Sequence, residues 1–138
     1  MNEFEPSFFE RLAEGFTEGG VWMYPISALG CLLPLLALAF VVLALVSKTN
    51  RALPLSIALL VLAIIPPSLG AMGARSARRS TEDALVNVNP ADVATIRAGA
   101  ESESLNLQTW GFGAALTPSV VGCLLLGLGL SRLPRFNA

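Results

Sequence analysis

Hydrophobic and polar residues fall along this chain in long blocks, not in the short alternation of a half-buried soluble fold. No charged residue occurs from Val21 to Ser47, from Ala52 to Ala74, or from Ser104 to Ser131. A membrane-crossing helix needs about 20 mostly apolar residues, and each block is long enough. The pattern predicts an all-α integral membrane protein with three spans, over about residues 25–47, 53–73 and 105–131, with a polar connector at 74–103. Residues 21–138 then form one three-span domain, preceded by an amphipathic segment at 1–20.

Punctuation residues refine each element. The first span opens near Pro25, a residue suited to a first helical turn, and Pro34 inside it predicts a bend. Lys48-Thr49-Asn50-Arg51 is too short for anything but an antiparallel hairpin between spans one and two. Pro66-Pro67 removes two helical hydrogen bonds in succession, so the second span must kink there, or end and restart. In the connector, Asn89-Pro90 reads as an N-cap followed by a first helical residue. That helix can run unbroken into the third span, with Pro118 as a bend. Forty such residues would be about 60 Å long, so they would project beyond the bilayer. At the N-terminus, Phe8, Phe9, Leu12 and Phe16 recur at helical spacing, and Ser7 with Glu10 makes a capping box. A short helix over 7–18, lying in the membrane interface, is expected. Gly19-Gly20 ends it, and Trp22 and Tyr24 follow where interfacial aromatics belong.

Composition narrows the function classes. The chain of 138 residues is 54% apolar and 14% charged, against about 25% charged in a typical soluble domain. Net charge is −1, no footprint for nucleic acid. There is no histidine, which removes the commonest metal ligand and general base. Cys31 and Cys123 both lie in apolar blocks and are expected to be small buried hydrophobes. No phosphate loop, nucleophile–base pair or metal-ligand cluster is present, so no enzyme, cofactor or metal is expected. Lys/Arg counts are nearly equal on the two sides of the membrane. The acidic N-terminal segment and the cationic Arg132 and Arg135 favour an outside N-terminus and an inside C-terminus.

Candidate chemistry concentrates on the third span. Gln108, Thr109, Thr117 and Ser119 sit in it, and Glu103 lies just before it. Lipid offers such groups no partner, so they act either as interhelical glue or as the lining of a pore. Gly111, Ala115 and Ser119 recur every four residues and form a small face for close helix packing. Arg75, Arg78 and Arg79 follow the second span and are placed to contact lipid headgroups. A chain this small, with a polar and small-faced span, is expected to need neighbours, so a homo-oligomer is predicted.

Three motifs carry a family resemblance. Gly19-Gly20-Val21-Trp22-Met23-Tyr24-Pro25 resembles the start of the first span in the MotA/TolQ/ExbB proton-channel family, where a Gly-Gly-x-x-Met-Tyr-Pro pattern follows an amphipathic helix. Leu69-Gly70-Ala71-Met72-Gly73 is similar to the family's Leu-Gly-x-x-Gly-Thr stretch. Ala100-Glu101-Ser102-Glu103-Ser104-Leu105 is similar to its Gly-Ile-Ala-Glu-Ala-Leu. The resemblance implies a bacterial inner-membrane protein and a ring-like homo-oligomer, a pentamer. Spans two and three would line a central pore, which holds single-span partner helices of the ExbD/TolR/MotB kind. Glu103 would be the pore carboxylate, lined by Gln108, Thr109 and Thr117. The sequence departs from the family in three places. The large cytoplasmic domain is replaced by the turn at 48–52, and the two family threonines fall on Ala74 and Gln108. These departures keep two alternatives open, a non-conducting scaffold subunit and a small independent transporter.

Overall fold

The computed structural model describes residues 20–47, 50–86 and 88–133. The segment over 7–18 lies outside the described residues. A single 3-10 turn at Gly20–Trp22 leads into α1, Met23–Val46. The second crossing is built from α2, Ala52–Ala63, and α3, Ile65–Leu85. The third belongs to α4, Val93–Ser131, 39 residues in one helix. Three helical stretches are long and apolar enough to cross a membrane, Gly20–Val46, Ala52–Leu85 and Val93–Ser131. No strand occurs among the described residues.

The proline pair does what its chemistry requires. Pro66 and Pro67 have no N–H to give the carbonyls of Leu62 and Ala63. The chain leaves the helix at Ile64, whose N–H bonds the Val61 carbonyl at 3.2 Å in a tighter turn, and resumes at Ile65. Pro34 and Pro118, by contrast, lie inside uninterrupted helices. The connector helix starts later than Asn89-Pro90 suggests. Asn89 instead shapes the turn before it: its Oδ1 accepts from the Ala91 N–H at 3.3 Å and its carbonyl from the Asp92 N–H at 2.9 Å. A short polar side chain stabilises a turn in this way as readily as it caps a helix.

Helix α4 is the centre of the molecule. It packs against α2 and α3 on one flank and against α1 on the other, while α1 and the α2–α3 crossing meet only weakly. The hairpin expected of spans one and two therefore closes only near its turn, where Ala44, Ala52 and Leu125 are buried together. The buried positions of α4 explain the wedge. Gly111, Ala115, Pro118, Gly122, Leu125 and Gly129 advance in alternating steps of four and three, a seven-residue repeat that keeps one seam facing its neighbour. The expected face of Gly111, Ala115 and Ser119 follows this seam for only two members. Ser119 is half-buried and Pro118 takes the third place, because steps of four alone drift around the helix.

Glycine sets the distance at this seam. A Cβ on Gly70 would stand 2.7 Å from the Leu107 carbonyl oxygen, and one on Gly111 would stand 2.7 Å from the Pro66 carbonyl oxygen. Gly70 and Pro66 are four residues apart on α3, as Leu107 and Gly111 are on α4, so the two helices run antiparallel in register. Lower down, a Cβ on Gly122 would stand 2.8 Å from the Leu60 side chain and one on Gly129 would stand 2.9 Å from the Leu53 backbone nitrogen. Small residues allow this approach where lipid gives no hydrophobic force between helices. The turn end is further tied by two hydrogen bonds. Asn50 Nδ2 donates to the Gly129 carbonyl at 2.9 Å, and the Arg132 guanidinium donates to the Ala44 carbonyl at 3.0 Å. The second places a cation on the C-terminal carbonyls of α1, where the helix dipole favours it.

The two cysteines contradict the sequence reading. Cys31 and Cys123 are free and exposed, Cys31 because it borders an open groove between α1 and α4, and Cys123 because it falls outside the buried seam of α4. Leu32, Leu35 and Leu38 of α1 and Phe112, Leu116, Val120 and Leu124 of α4 are exposed as well. Such an apolar exterior is what a lipid-facing surface presents.

The seam predicts a sharp contrast among glycines. Gly70→Ala and Gly111→Ala should each lower stability by about 1–3 kcal/mol, the usual cost of overpacking. Gly113→Ala and Gly127→Ala, which meet nothing within 4 Å, should be neutral or stabilising by up to about 1 kcal/mol, through helix propensity. Denaturation in detergent micelles measures both. Equal losses at all four positions would contradict the packing described.

Candidate functional site

Glu103 is the last acidic group before the apolar part of α4. It is half-buried and lines a groove of about 350 Å³ where α3, α4 and the entering 3-10 turn meet. Its carboxylate oxygen Oε1 stands 3.9 Å from the position of a Cβ on Gly20. Gly20 itself has φ +56°, a left-handed conformation suited to glycine. It therefore prevents any preceding helix from running straight into α1.

The groove exists because of a stripe on α3. Gly73, Ser76, Ala77, Ser80 and Ala84 recur at helical spacing, and side chains this small cannot fill the space beside α4. Ser76, Ser80 and Thr81 bring three hydroxyls into the groove with Glu103. The Thr81 hydroxyl donates to the Ala77 carbonyl at 2.9 Å, whereas Ser76 and Ser80 are exposed. Trp22 closes one side, packed so closely that a Cβ on Gly73 would lie 2.9 Å from its Cγ. Sequence reading did not single out these hydroxyls. The small-residue stripe was visible in the sequence, but not the helix it faces.

The other candidate residues do not converge on Glu103. Helical geometry of about 100° per residue puts Gln108 about 140° from Glu103 in one direction and Thr109 about 120° in the other. Gln108 is half-buried beside α3, its Cα 3.4 Å from the Cβ position of Gly70. Thr109 is exposed, and its hydroxyl donates to the Leu105 carbonyl of its own helix at 2.8 Å. Thr117 shares the stripe of Glu103, but it too is exposed, and Trp110 stands between them. Neither is Thr109 interhelical glue, since its hydrogen bond is local. The hydroxyls of Ser56 and Ser68 are likewise satisfied within their own helices, by Leu53 and Ile64. Ser104 is fully buried, with an Oγ that has no hydrogen-bond partner.

A second groove, about 660 Å³ and mostly apolar, separates α1 from α4. Ser27, Gly30 and Cys31 line one wall, and Thr109, Gly113 and Ala114 the other. Pro34 and Pro118 leave the carbonyls of Gly30 and Ala114 without their usual N–H partners, and both residues border this space. Arg75, Arg78 and Arg79 are all exposed on α3 beyond its apolar stretch. Among the described residues, no three of His, Cys, Asp and Glu come together as metal ligands would.

Comparison with family models, with curated proteins and with solved structures found no match to this chain.

The hydroxyl geometry generates its own test. Thr109→Val should leave stability within about 0.5 kcal/mol of the parent, as expected for an exposed position. Ser104→Ala should be neutral or stabilising, because it removes a buried hydroxyl that has no partner. A loss above about 1 kcal/mol for Ser104→Ala, read by the same denaturation, would show that this oxygen is bonded in the membrane.

Proposed function

We propose that the protein is a subunit of an oligomeric inner-membrane complex. Its sequence motifs at 19–25, 69–73 and 100–105 resemble those of the MotA/TolQ/ExbB family, and in this reading the Glu103 groove forms the mouth of an ion path. The observation that carries this reading is the grouping of one carboxylate with the hydroxyls of Ser76, Ser80 and Thr81 just past the apolar stretches of α3 and α4. A carboxylate attracts cations, and hydroxyls nearby can relay a proton or replace part of a cation's hydration. These hydroxyls occupy the role left vacant where the family's threonines fall on Ala74 and Gln108. In this reading the N-terminus is outside and α3 and α4 face a central partner helix of the ExbD/TolR/MotB kind. The N-terminal helix lies in the interface, and copies of the chain close a ring, a pentamer by the resemblance.

A second reading, a scaffold subunit that does not conduct, is favoured by a different observation. Gln108, Thr109 and Thr117 point in separate directions, and the seam between α3 and α4 is filled by backbone at Gly70 and Gly111. Among the described residues no continuous polar line runs from Glu103 through one chain. Conduction would then need a path completed between chains.

Reconstitution distinguishes the two. Proteoliposomes holding the assembled complex should show proton flux above empty vesicles, and Glu103→Gln should lower that flux at least about tenfold. Ser80→Ala should lower it less. Flux equal to that of empty vesicles, with the assembly intact by electron microscopy, would reject conduction and leave the scaffold reading. A monomer with substrate uptake would instead support an independent transporter.

A further inference from the structure

All three crossings lose helical hydrogen bonds at one level of the bundle. Helices α1 and α4 run parallel: Gly30 faces Ala114, and the Ala44 carbonyl accepts from Arg132. Four residues farther along both helices, Pro34 stands opposite Pro118. The carbonyls that these prolines leave without an N–H, those of Gly30 and Ala114, therefore belong to the facing pair. On the other flank α3 runs antiparallel to α4, with Gly70 opposite Leu107 and Pro66 opposite Gly111. Three residues farther, Ala63 comes opposite Ala114. Counted from the turn end, Leu60 lies opposite Gly122, which brings Ala63 opposite Ser119. The carbonyls freed by Pro66 and Pro67, those of Leu62 and Ala63, thus fall beside the stretch 114–119 that contains Pro118.

Packing is divided at the same level. On the Glu103 side, Met23, Ile26 and Leu107 are buried together, with Trp22, Leu69 and Trp110 against them. On the turn side, Ala44, Ala52 and Leu125 form a separate buried cluster, backed by Phe40, Leu55 and Val121. The close approaches at Gly70 and Gly111 belong to the first half. Those at Gly122 and Gly129, with the hydrogen bonds of Asn50 and Arg132, belong to the second. Between the halves the chain passes three times, each time through a segment that lacks at least one helical hydrogen bond. Pro34 is the twelfth of the 24 residues of α1, so the division falls midway along that helix. Helices bend at such points, because the missing bond no longer resists and the proline ring pushes the preceding turn away. There is also room to move. The groove of about 660 Å³ between α1 and α4 is lined by residues within 26–31 and 109–114, the turns just before the two prolines.

We propose that the protein is built as two bodies joined at this level, and that the end bearing Glu103 swings against the end bearing Asn50 and Arg132. Hinge motion of this kind needs only a few residues that absorb the change in backbone angle. A shared level matters physically. Joints at different heights would force one helix to slide past another, and the seams at Gly70–Leu107 and Gly122–Leu60 are too close for sliding. Rotation about a common level leaves both seams intact. The motion carries Glu103 and the hydroxyls around it as one unit, and it widens or narrows the groove between α1 and α4. The inference rests on the fold alone and is independent of any ion conduction.

The test is spin-label distance measurement by double electron–electron resonance, on the full chain in nanodiscs with Cys31→Ala and Cys123→Ala as background. Cysteines introduced in pairs carry the labels, at positions that are all exposed. Met72→Cys with Ala28→Cys reports within the Glu103 half, and Ile57→Cys with Leu43→Cys within the turn half. Met72→Cys with Leu43→Cys reports across the joint. The distance distribution across the joint should be at least about twice as wide as either distribution within a half, as expected for two rigid bodies about a hinge. Pro34→Ala combined with Pro118→Ala restores two backbone donors. It should narrow the distribution across the joint toward the width found within a half, and leave the other two pairs unchanged. Leu35→Ala combined with Leu116→Ala, exposed neighbours of the prolines, should keep the parent width. Circular dichroism and gel filtration confirm that each variant is folded. A distribution across the joint as narrow as those within each half would overturn the proposal on the parent protein alone. So would a broad one that the double proline variant leaves unchanged, because the freed carbonyls would then not be the joint. Absence of proton flux from the reconstituted protein would leave either result standing.

Discussion

The close approach of α4 to the α2–α3 crossing is the contact on which the rest of the molecule depends. In lipid no hydrophobic force draws one apolar helix to another, so association rests on dispersion and on how near the backbones can come. Gly70 and Gly111 bring α3 and α4 to the point where a methyl group would strike a carbonyl oxygen, and Gly122 and Gly129 do the same against Leu60 and Leu53 of α2. The seam spans the Pro66-Pro67 break, so the two halves of the second crossing share one partner. With that seam formed, the opposite flank of α4 is left for α1. There Met23 and Ile26 meet Leu107, and a Cβ on Gly30 would reach the Ala114 Cβ at 3.5 Å, ordinary van der Waals contact.

This arrangement gives the molecule unequal ends. At the turn end, α1, α2 and α4 are buried against one another, and Asn50 and Arg132 tie side chains to carbonyls of other helices. At the other end, α3 and α4 outrun the apolar core, and no residue of either arm is buried beyond Ala74 or before Ser104. Two grooves lie along those arms and share Thr81. One gathers Glu103 with hydroxyls, and the other gathers four charges of both signs. The charged and hydroxyl-bearing grooves therefore sit where α3 and α4 outrun the apolar core, while the seam of α4 against α2 and α3 is closely packed.

Much of this was legible in the chain itself. The three crossings followed from charge-free blocks, the interruption of the second from Pro66-Pro67, and the continuity of the third with its polar leader from an unbroken helical pattern. The site was only partly legible. Glu103 stood out as the last carboxylate before a polar span, but Ser76, Ser80 and Thr81 did not, since they belong to another helix 20 or more residues away. Thr109 and Thr117 looked like a polar seam because the sequence shows which residues are polar, not where a helix turns them. The exposed cysteines failed for the same reason: residence in an apolar block implies burial in water-soluble proteins but not in a lipid-facing helix.

The sequence by itself determined what can enter a bilayer and where regular hydrogen bonding must stop. Both depend on local chemistry, the absence of charge over about 20 residues and the missing N–H of proline. The tertiary structure decided which face of α4 is the seam, that α4 and not a simple hairpin forms the centre, and which side chains share a groove. Those outcomes depend on contacts between residues far apart in the chain, where a glycine's value lies in the carbonyl opposite it and a glutamate's in the hydroxyls that another helix brings beside it.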